Sequence, residues 1–180
     1  MSEEDVRKER EQEKFLRKFD AFQFSEADVM GLKKKFETLD VDGRGSVDVD
    51  EFVVTLRLEC SKFSERVFEA FSEDGVLNFS QFVVAMWNFC TLDDAAMTKF
   101  SFDIYDQASD HLTDKAFAVM MNDLYGKGNA NAAEKKKAKE DLAAVGKLFN
   151  IDQFAAFIKE HPTVLSPAMK VQSSLQEKVM

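Results

Sequence analysis

The chain has 180 residues, of which 45% are hydrophobic and 32% charged, a balance typical of globular proteins. Its 24 Lys and Arg residues against 33 Asp and Glu residues give a formal net charge of −9. This charge disfavours nucleic acid and anionic lipid as partners and suits a protein that binds cations. Few helix breakers (seven Gly and two Pro) beside 18 Phe favour packed helices.

The N-terminus is acidic and lacks the apolar stretch of a secretory signal. Ser2 stands where N-myristoylation requires Gly, so we expect no myristoyl group. No apolar run approaches the roughly 20 residues that span a bilayer. Two cysteines are too few for a disulfide framework, which indicates a reducing compartment. These features predict a cytoplasmic protein. Residues 1–21 are rich in alternating Glu, Lys and Arg, which predicts a charged helical leader.

A repeated unit organises the rest of the chain. Ser25 is a predicted N-cap of the first helix, which ends near Asp40. Later helices open on a Phe at intervals of 30, 35 and 37 residues, and these anchors are Phe52, Phe82, Phe117 and Phe154. Self-similarity at this period predicts a helix–turn–helix repeat.

The pattern predicts an all-α fold of four helix–loop–helix units in two paired lobes. Short two-residue β contacts should join the loops, Val47 with Leu77 and Leu112 with Phe149. The predicted domains are the N-terminal pair at 22–92, the degenerate C-terminal pair at 93–165 and an amphipathic helix at 166–180. We expect Ser166 to cap that last helix.

The first loop is a candidate metal site. It runs for twelve residues from Asp40 to Glu51, with oxygen-bearing groups at alternate positions. Ca²⁺ takes six to eight oxygen ligands, and such a loop supplies them as it wraps around the ion. The predicted ligands are the side chains of Asp40, Asp42, Asp48 and Glu51 and the backbone carbonyl of Ser46.

The loop departs from the usual pattern at its fifth position, where Arg44 offers a positive charge instead of an oxygen. We therefore expect one weakened Ca²⁺ site, at which Mg²⁺ competes. The other three loops have lost ligands: the second ends on Gln81, the third on Ala116, and the fourth has no carboxylate before Asp152.

These motifs resemble the EF-hand, and the chain is similar over residues 22–165 to the calcineurin B-like regulatory proteins of the calmodulin superfamily. The segments Phe24–Asp28, Phe102–Asp106 and Met120–Leu124 carry the likeness. The resemblance implies a regulatory subunit that grips an amphipathic helix of a larger protein. The residues expected to line its groove are Met86, Trp87, Phe89, Met120 and Met121.

Catalysis has little support in the sequence. His111 and His161 have no recognisable nucleophile nearby, and Cys60 and Cys90 are predicted to be small apolar fillers. Two functions remain open. One is a calcium-responsive regulatory or adaptor protein, and the other is a calcium-independent, light-chain-like subunit of a motor, ciliary or cytoskeletal assembly. The three degenerate loops favour the calcium-independent subunit, whereas the acidic first loop favours the calcium-responsive protein.

Overall fold

The computed structural model describes residues 22–58, 62–106, 111–126, 132–143 and 148–180. The predicted leader at 1–21 and Cys60 lie outside the described residues. Helices form most of the fold, and its strands are confined to short contacts between loops. This arrangement confirms the predicted all-α class.

The first two helix–loop–helix units come from the N-terminal half. Their elements are α1 (Glu26–Leu39), β1 (Ser46–Asp48), α2 (Val49–Thr55), α3 (Lys62–Phe71), β2 (Val76–Asn78) and α4 (Phe79–Cys90). The predicted cap of α1 is confirmed, since the Ser25 side chain accepts a hydrogen bond from the Asp28 N–H and the Asp28 carboxylate accepts one from the Ser25 N–H. These reciprocal bonds satisfy two donors that a helix start leaves without partners.

The next units come from the C-terminal half. Their elements are α5 (Asp94–Asp103), β3 (Leu112–Thr113), α6 (Asp114–Tyr125), α7 (Ala132–Ala143), β4 (Leu148–Phe149) and α8 (Ile151–Glu160). A 3₁₀ helix (Pro162–Leu165) and the final helix α9 (Ser166–Val179) follow.

Two antiparallel ribbons pair the loops. Val47 lies opposite Leu77 in the first ribbon and Leu112 opposite Phe149 in the second, as predicted. The first ribbon is longer than expected, with three residues in each strand rather than two. The ribbon between β1 and β2 fixes the spacing of the first loop relative to its neighbour.

The core is built from the aromatic repeat. All four anchors, namely Phe52, Phe82, Phe117 and Phe154, have no exposed surface. Buried side chains from both pairs form one connected cluster. The domain boundaries at residues 92 and 165 stay predictions.

A charged contact joins the two halves. Arg66 on α3 donates from Nε to Oδ2 of Asp123 on α6 at 2.6 Å, and the Tyr105 hydroxyl donates to the same oxygen at 3.2 Å. The guanidinium also lies 4.8 Å from the centre of the Tyr105 ring. Burial and the nearby Asp123 charge raise the pKa of Tyr105, so its hydroxyl remains a donor.

The C-terminal helix α9 packs against α4, α5 and α6. Its buried face includes Ala168, Val171, Leu175 and Val179. The predicted capping role of Ser166 is wrong: Ser166 is the first residue of α9, because the 3₁₀ helix runs directly into it, and Leu165 takes the N-cap position without a side-chain bond.

Two glutamines fix α9 to the end of α4. Gln172 donates from Nε2 to the carbonyl oxygens of Phe89 and Leu92, each at 2.8 Å, and Gln176 donates to that of Cys90 at 2.6 Å. The last carbonyls of a helix have no partner within the helix, so these side chains supply the missing donors. Within the described residues, no helix is long and apolar enough to cross a membrane.

Candidate cation-binding loop and helix-binding surface

The first loop turns sharply between α1 and β1. Gly43 and Gly45 have φ values of 71° and 79°, in the left-handed region where other residues are strained. Asp40 closes α1 as its C-cap, with its N–H bonded to the Phe36 carbonyl. The loop therefore returns its acidic side chains toward the start of α2.

Three carboxylates converge in this loop. One oxygen each from Asp40, Asp42 and Glu51 lies within 4.8 Å of the other two, and this is the one such acidic group found among the described residues. Glu51 comes from the first turn of α2, and its side chain is 13% exposed. Hard oxygen donors gathered from two elements fit the ligand preference of Ca²⁺.

The backbone of the loop holds two of these carboxylates in place. The Arg44 and Gly45 N–H groups donate to Oδ1 and Oδ2 of Asp40 at 2.9 and 2.8 Å. The Val41 and Asp48 N–H groups donate to Oε1 and Oε2 of Glu51 at 3.0 and 3.1 Å. Each carboxylate thus has both of its oxygens oriented by the chain.

The remaining two predicted carboxylate ligands contact Arg44. Its Nε pairs with Asp42 Oδ2, and its Nη2 lies 3.1 Å from Asp48 Oδ2 and 3.7 Å from Glu51 Oε2. The hydrogen bond from the Arg44 side chain holds the pKa of Asp42 below its usual value, while the bonds to Asp42 and Asp48 raise the pKa of Arg44.

Three of the five predicted ligand residues, Asp40, Asp42 and Glu51, form this carboxylate group, and Asp48 is linked to it through Arg44. The fifth, Ser46, begins β1 opposite Asn78, and a ligand role for its carbonyl stays a prediction. The ligand roles of the Asp40, Asp42, Asp48 and Glu51 carboxylates stay predictions as well, and such an oxygen donor set suits Ca²⁺ or Mg²⁺.

The second loop has a neutral counterpart of this arrangement. Gln81 donates from Nε2 to Glu73 Oε2 at 3.0 Å and also accepts from the Asn78 N–H at 2.9 Å. Its amide therefore bonds inside the loop where a closing carboxylate would bind an ion. Most of the third and fourth loops, 107–110 and 144–147, lies outside the described residues.

Capping residues recur at the start of the second helix in each unit. Asp48, Asn78, Thr113 and Asn150 are the N-caps of α2, α4, α6 and α8. Asp48, Asn78 and Asn150 form capping boxes with Glu51, Gln81 and Gln153. Sequence reasoning gave Asp48 and Glu51 only a metal role, although an N-cap residue followed three positions later by Glu or Gln signals a helix start.

The predicted groove residues do not line an open groove in this structure. Met86, Phe89, Met120 and Met121 are at most 1% exposed and belong to the core. Neighbouring helices cover the two helices that carry them, since α9 packs against both α4 and α6, and α3 packs against α6. A role for these four residues in a partner groove stays a prediction, because in this structure they belong to the core.

Trp87 differs from the other four because it is half-buried. Its indole stacks on Phe22 with ring centres 5.1 Å apart and meets Phe24 edge-on at 4.9 Å. Trp87 therefore packs against the segment that precedes α1. Cys90 is buried as predicted, and burial raises the pKa of its thiol to about 11.

Paired helix–loop–helix units, loops joined by a short antiparallel ribbon and a twelve-residue acidic loop define the EF-hand class of proteins. The chain has this EF-hand architecture, and curated proteins to which it is similar are named as B subunits of calcineurin. No family model matches the chain.

The sequence identity to these relatives is modest. Over 86 residues the chain is 34% identical to the calcineurin B protein of Naegleria gruberi, an alignment that covers 46% of this chain and 49% of the relative. The type 2 calcineurin B protein of Bos taurus is 30% identical over 90 residues, with 48% and 53% covered. These two alignments span about half the length of the relatives. The calcineurin B protein of Kluyveromyces lactis is 28% identical over 152 residues, with 69% and 87% covered.

Proposed function

We propose that this chain is a non-catalytic regulatory or adaptor protein that binds one divalent cation in its first hand and grips an amphipathic helix of a larger protein. The convergence of Asp40, Asp42 and Glu51 is the observation that carries the cation site. The resemblance to proteins named as calcineurin subunits supports a role as a partner of another chain.

The helix-binding part of the proposal rests on α9. This helix presents an apolar stripe and two glutamines to α4, and an incoming helix with similar chemistry is suited to the same surface. Displacing α9 would uncover the core residues Met86 and Phe89 on α4. Met side chains adapt to differently shaped partners, which suits an adaptor.

A second function, a structural role in a larger assembly that works without calcium, is favoured by Arg44. Its guanidinium forms ion pairs with carboxylates that a bound ion would also need, so a side-chain charge of the loop itself can offset their negative charge. The Gln81–Glu73 hydrogen bond closes the second loop in a similar way without an ion.

The first prediction separates these functions. Calorimetric titration should show one Ca²⁺ bound per chain with a dissociation constant below roughly 10⁻⁴ M, as for EF-hand sensors and weaker regulatory sites. Glu51→Gln should weaken binding by at least about tenfold, because a neutral amide replaces the closing carboxylate. A parallel titration with Mg²⁺ measures competition.

The matched control is Asp50→Asn, which removes one charge from an exposed neighbour of Glu51 outside the predicted ligand set. This variant should retain most of the wild-type affinity. No binding heat at millimolar Ca²⁺, with calmodulin as a working standard, would contradict the cation site and leave the structural function. Equal weakening by both variants would show a general charge effect rather than coordination.

A further inference from the structure

We propose that the guanidinium of Arg44 is a built-in counter-cation of the first loop, which holds the loop's carboxylates together and competes with a divalent ion for them. The competition rests on the proposed cation site. The holding role concerns the protein without metal and does not depend on that site.

The contacts of Arg44 motivate this role. One side chain reaches carboxylates at the third, ninth and twelfth loop positions, those of Asp42, Asp48 and Glu51. The planar, forked guanidinium suits several carboxylate oxygens at once, whereas a lysine ammonium acts as a point charge. Arg44 thus contacts groups that a bound ion would bring together.

Charge explains why the loop needs such a contact. Residues 40–51 contain five acidic side chains, and Arg44 is the single basic one. Carboxylates only a few ångströms apart repel one another, and an opposite charge among them offsets part of that repulsion.

Exposure explains why Arg44 should weaken cation binding without abolishing it. Its side chain is 53% exposed, so the guanidinium can leave the carboxylates and return to solvent. The loss of these hydrogen bonds makes the net free energy of ion binding less favourable. Its positive charge also remains close to the site in any nearby rotamer.

The second prediction tests this role with Arg44→Met, which removes the charge without adding an oxygen ligand. We expect the dissociation constant for Ca²⁺ to fall by about tenfold, because repulsion of a divalent ion disappears. In metal-free buffer, the melting temperature should fall by about 2–4 °C relative to the control below, because the carboxylates lose their counter-charge.

The control is Lys33→Met, which makes the same change at an exposed position of α1 outside the loop. Lys33→Met should leave the Ca²⁺ affinity within about twofold of wild type, since exposed charges at a distance are screened by salt. Calorimetry and thermal unfolding of chelator-treated full-length protein provide the two readouts.

The outcomes distinguish this inference from the proposed function. Measurable Ca²⁺ binding that Arg44→Met leaves unchanged overturns the inference while the cation site stands. A metal-free melting temperature equal to that of Lys33→Met overturns it whether or not calcium binds. A lower melting temperature with no calcium binding in any variant supports the counter-cation and contradicts the cation site.

Discussion

At the scale of single residues, burial rather than distance distinguishes the ion pairs of this protein. Arg66–Asp123 and Lys99–Asp103 both have N–O distances of 2.6 Å. The Asp123 side chain is only 11% exposed, whereas that of Asp103 is 52% exposed. Water screens the second pair, and exposed pairs contribute little to stability. Asp123 also accepts a hydrogen bond from the Tyr105 hydroxyl, so removal of the carboxylate leaves both Arg66 and Tyr105 without this acceptor.

The third prediction follows from this contrast. Asp123→Ala should lower the free energy of unfolding by about 2 kcal/mol, because Arg66 and Tyr105 both lose their acceptor inside the protein. Asp103→Ala is the matched control and should cost less than about 0.5 kcal/mol. Urea denaturation followed by circular dichroism measures both values. Similar losses in the two variants would show that the buried pair contributes no more to the free energy of unfolding than the exposed pair does.

At the scale of helices and strands, much of the fold could be predicted because short-range patterns determine it. The spacing of Phe52, Phe82, Phe117 and Phe154 predicted the helices that follow the loops, and all four residues are buried. The strand pairings of Val47 and Leu112 follow from their places in equivalent loops.

Other features depend on contacts between distant segments, which local patterns do not contain. The packing of α9 against α4 joins segments far apart in the chain, since α9 begins 76 residues beyond the end of α4. The acidic loop and its odd residue Arg44 were visible in the sequence. The sequence did not show which carboxylates the guanidinium would contact, because that depends on the folded loop.

The fourth prediction concerns the attachment of α9. The double substitution Gln172→Ala and Gln176→Ala removes three hydrogen bonds to carbonyls at and just beyond the end of α4. We expect amide hydrogen exchange in residues 166–180 to become at least about tenfold faster, because local opening then costs less free energy. Ser173→Ala, at an exposed position of α9, is the control and should leave exchange nearly unchanged.

A uniform acceleration of exchange along the whole chain would contradict this prediction, since it would indicate global destabilisation instead of a loosened helix. Unchanged exchange in α9 would show that its apolar stripe alone holds it. Either result would weaken the proposal that a partner helix can replace α9.

At the scale of the whole molecule, the buried side chains form one cluster that includes both halves. Arg66–Asp123 and the contacts of α9 with α4, α5 and α6 also link the halves. Units that share a core lose their stabilising contacts together, which favours one cooperative transition. The boundary at residue 92 stays a prediction, and the shared core leads us to expect that the two pairs unfold together.

The fifth prediction tests this cooperativity. Trp87 lies in the N-terminal half and both tyrosines, Tyr105 and Tyr125, lie in the C-terminal half, so the two halves have separate optical reporters. Tryptophan fluorescence and tyrosine near-ultraviolet dichroism should give the same urea midpoint in the metal-free protein. Two distinct midpoints would show that the halves unfold separately despite their common core.

The packing of Trp87 on Phe22 and Phe24 has a practical consequence. The indole sits beside the point at which the first twenty-one residues join the described part of the chain. Binding of another macromolecule to the N-terminal segment would separate the two phenyl rings from the indole. The indole would then be more exposed to water, and its fluorescence emission would shift to longer wavelengths. Trp87 is thus an intrinsic fluorescent reporter of conformational change at the junction with the N-terminal segment, and no added label is needed.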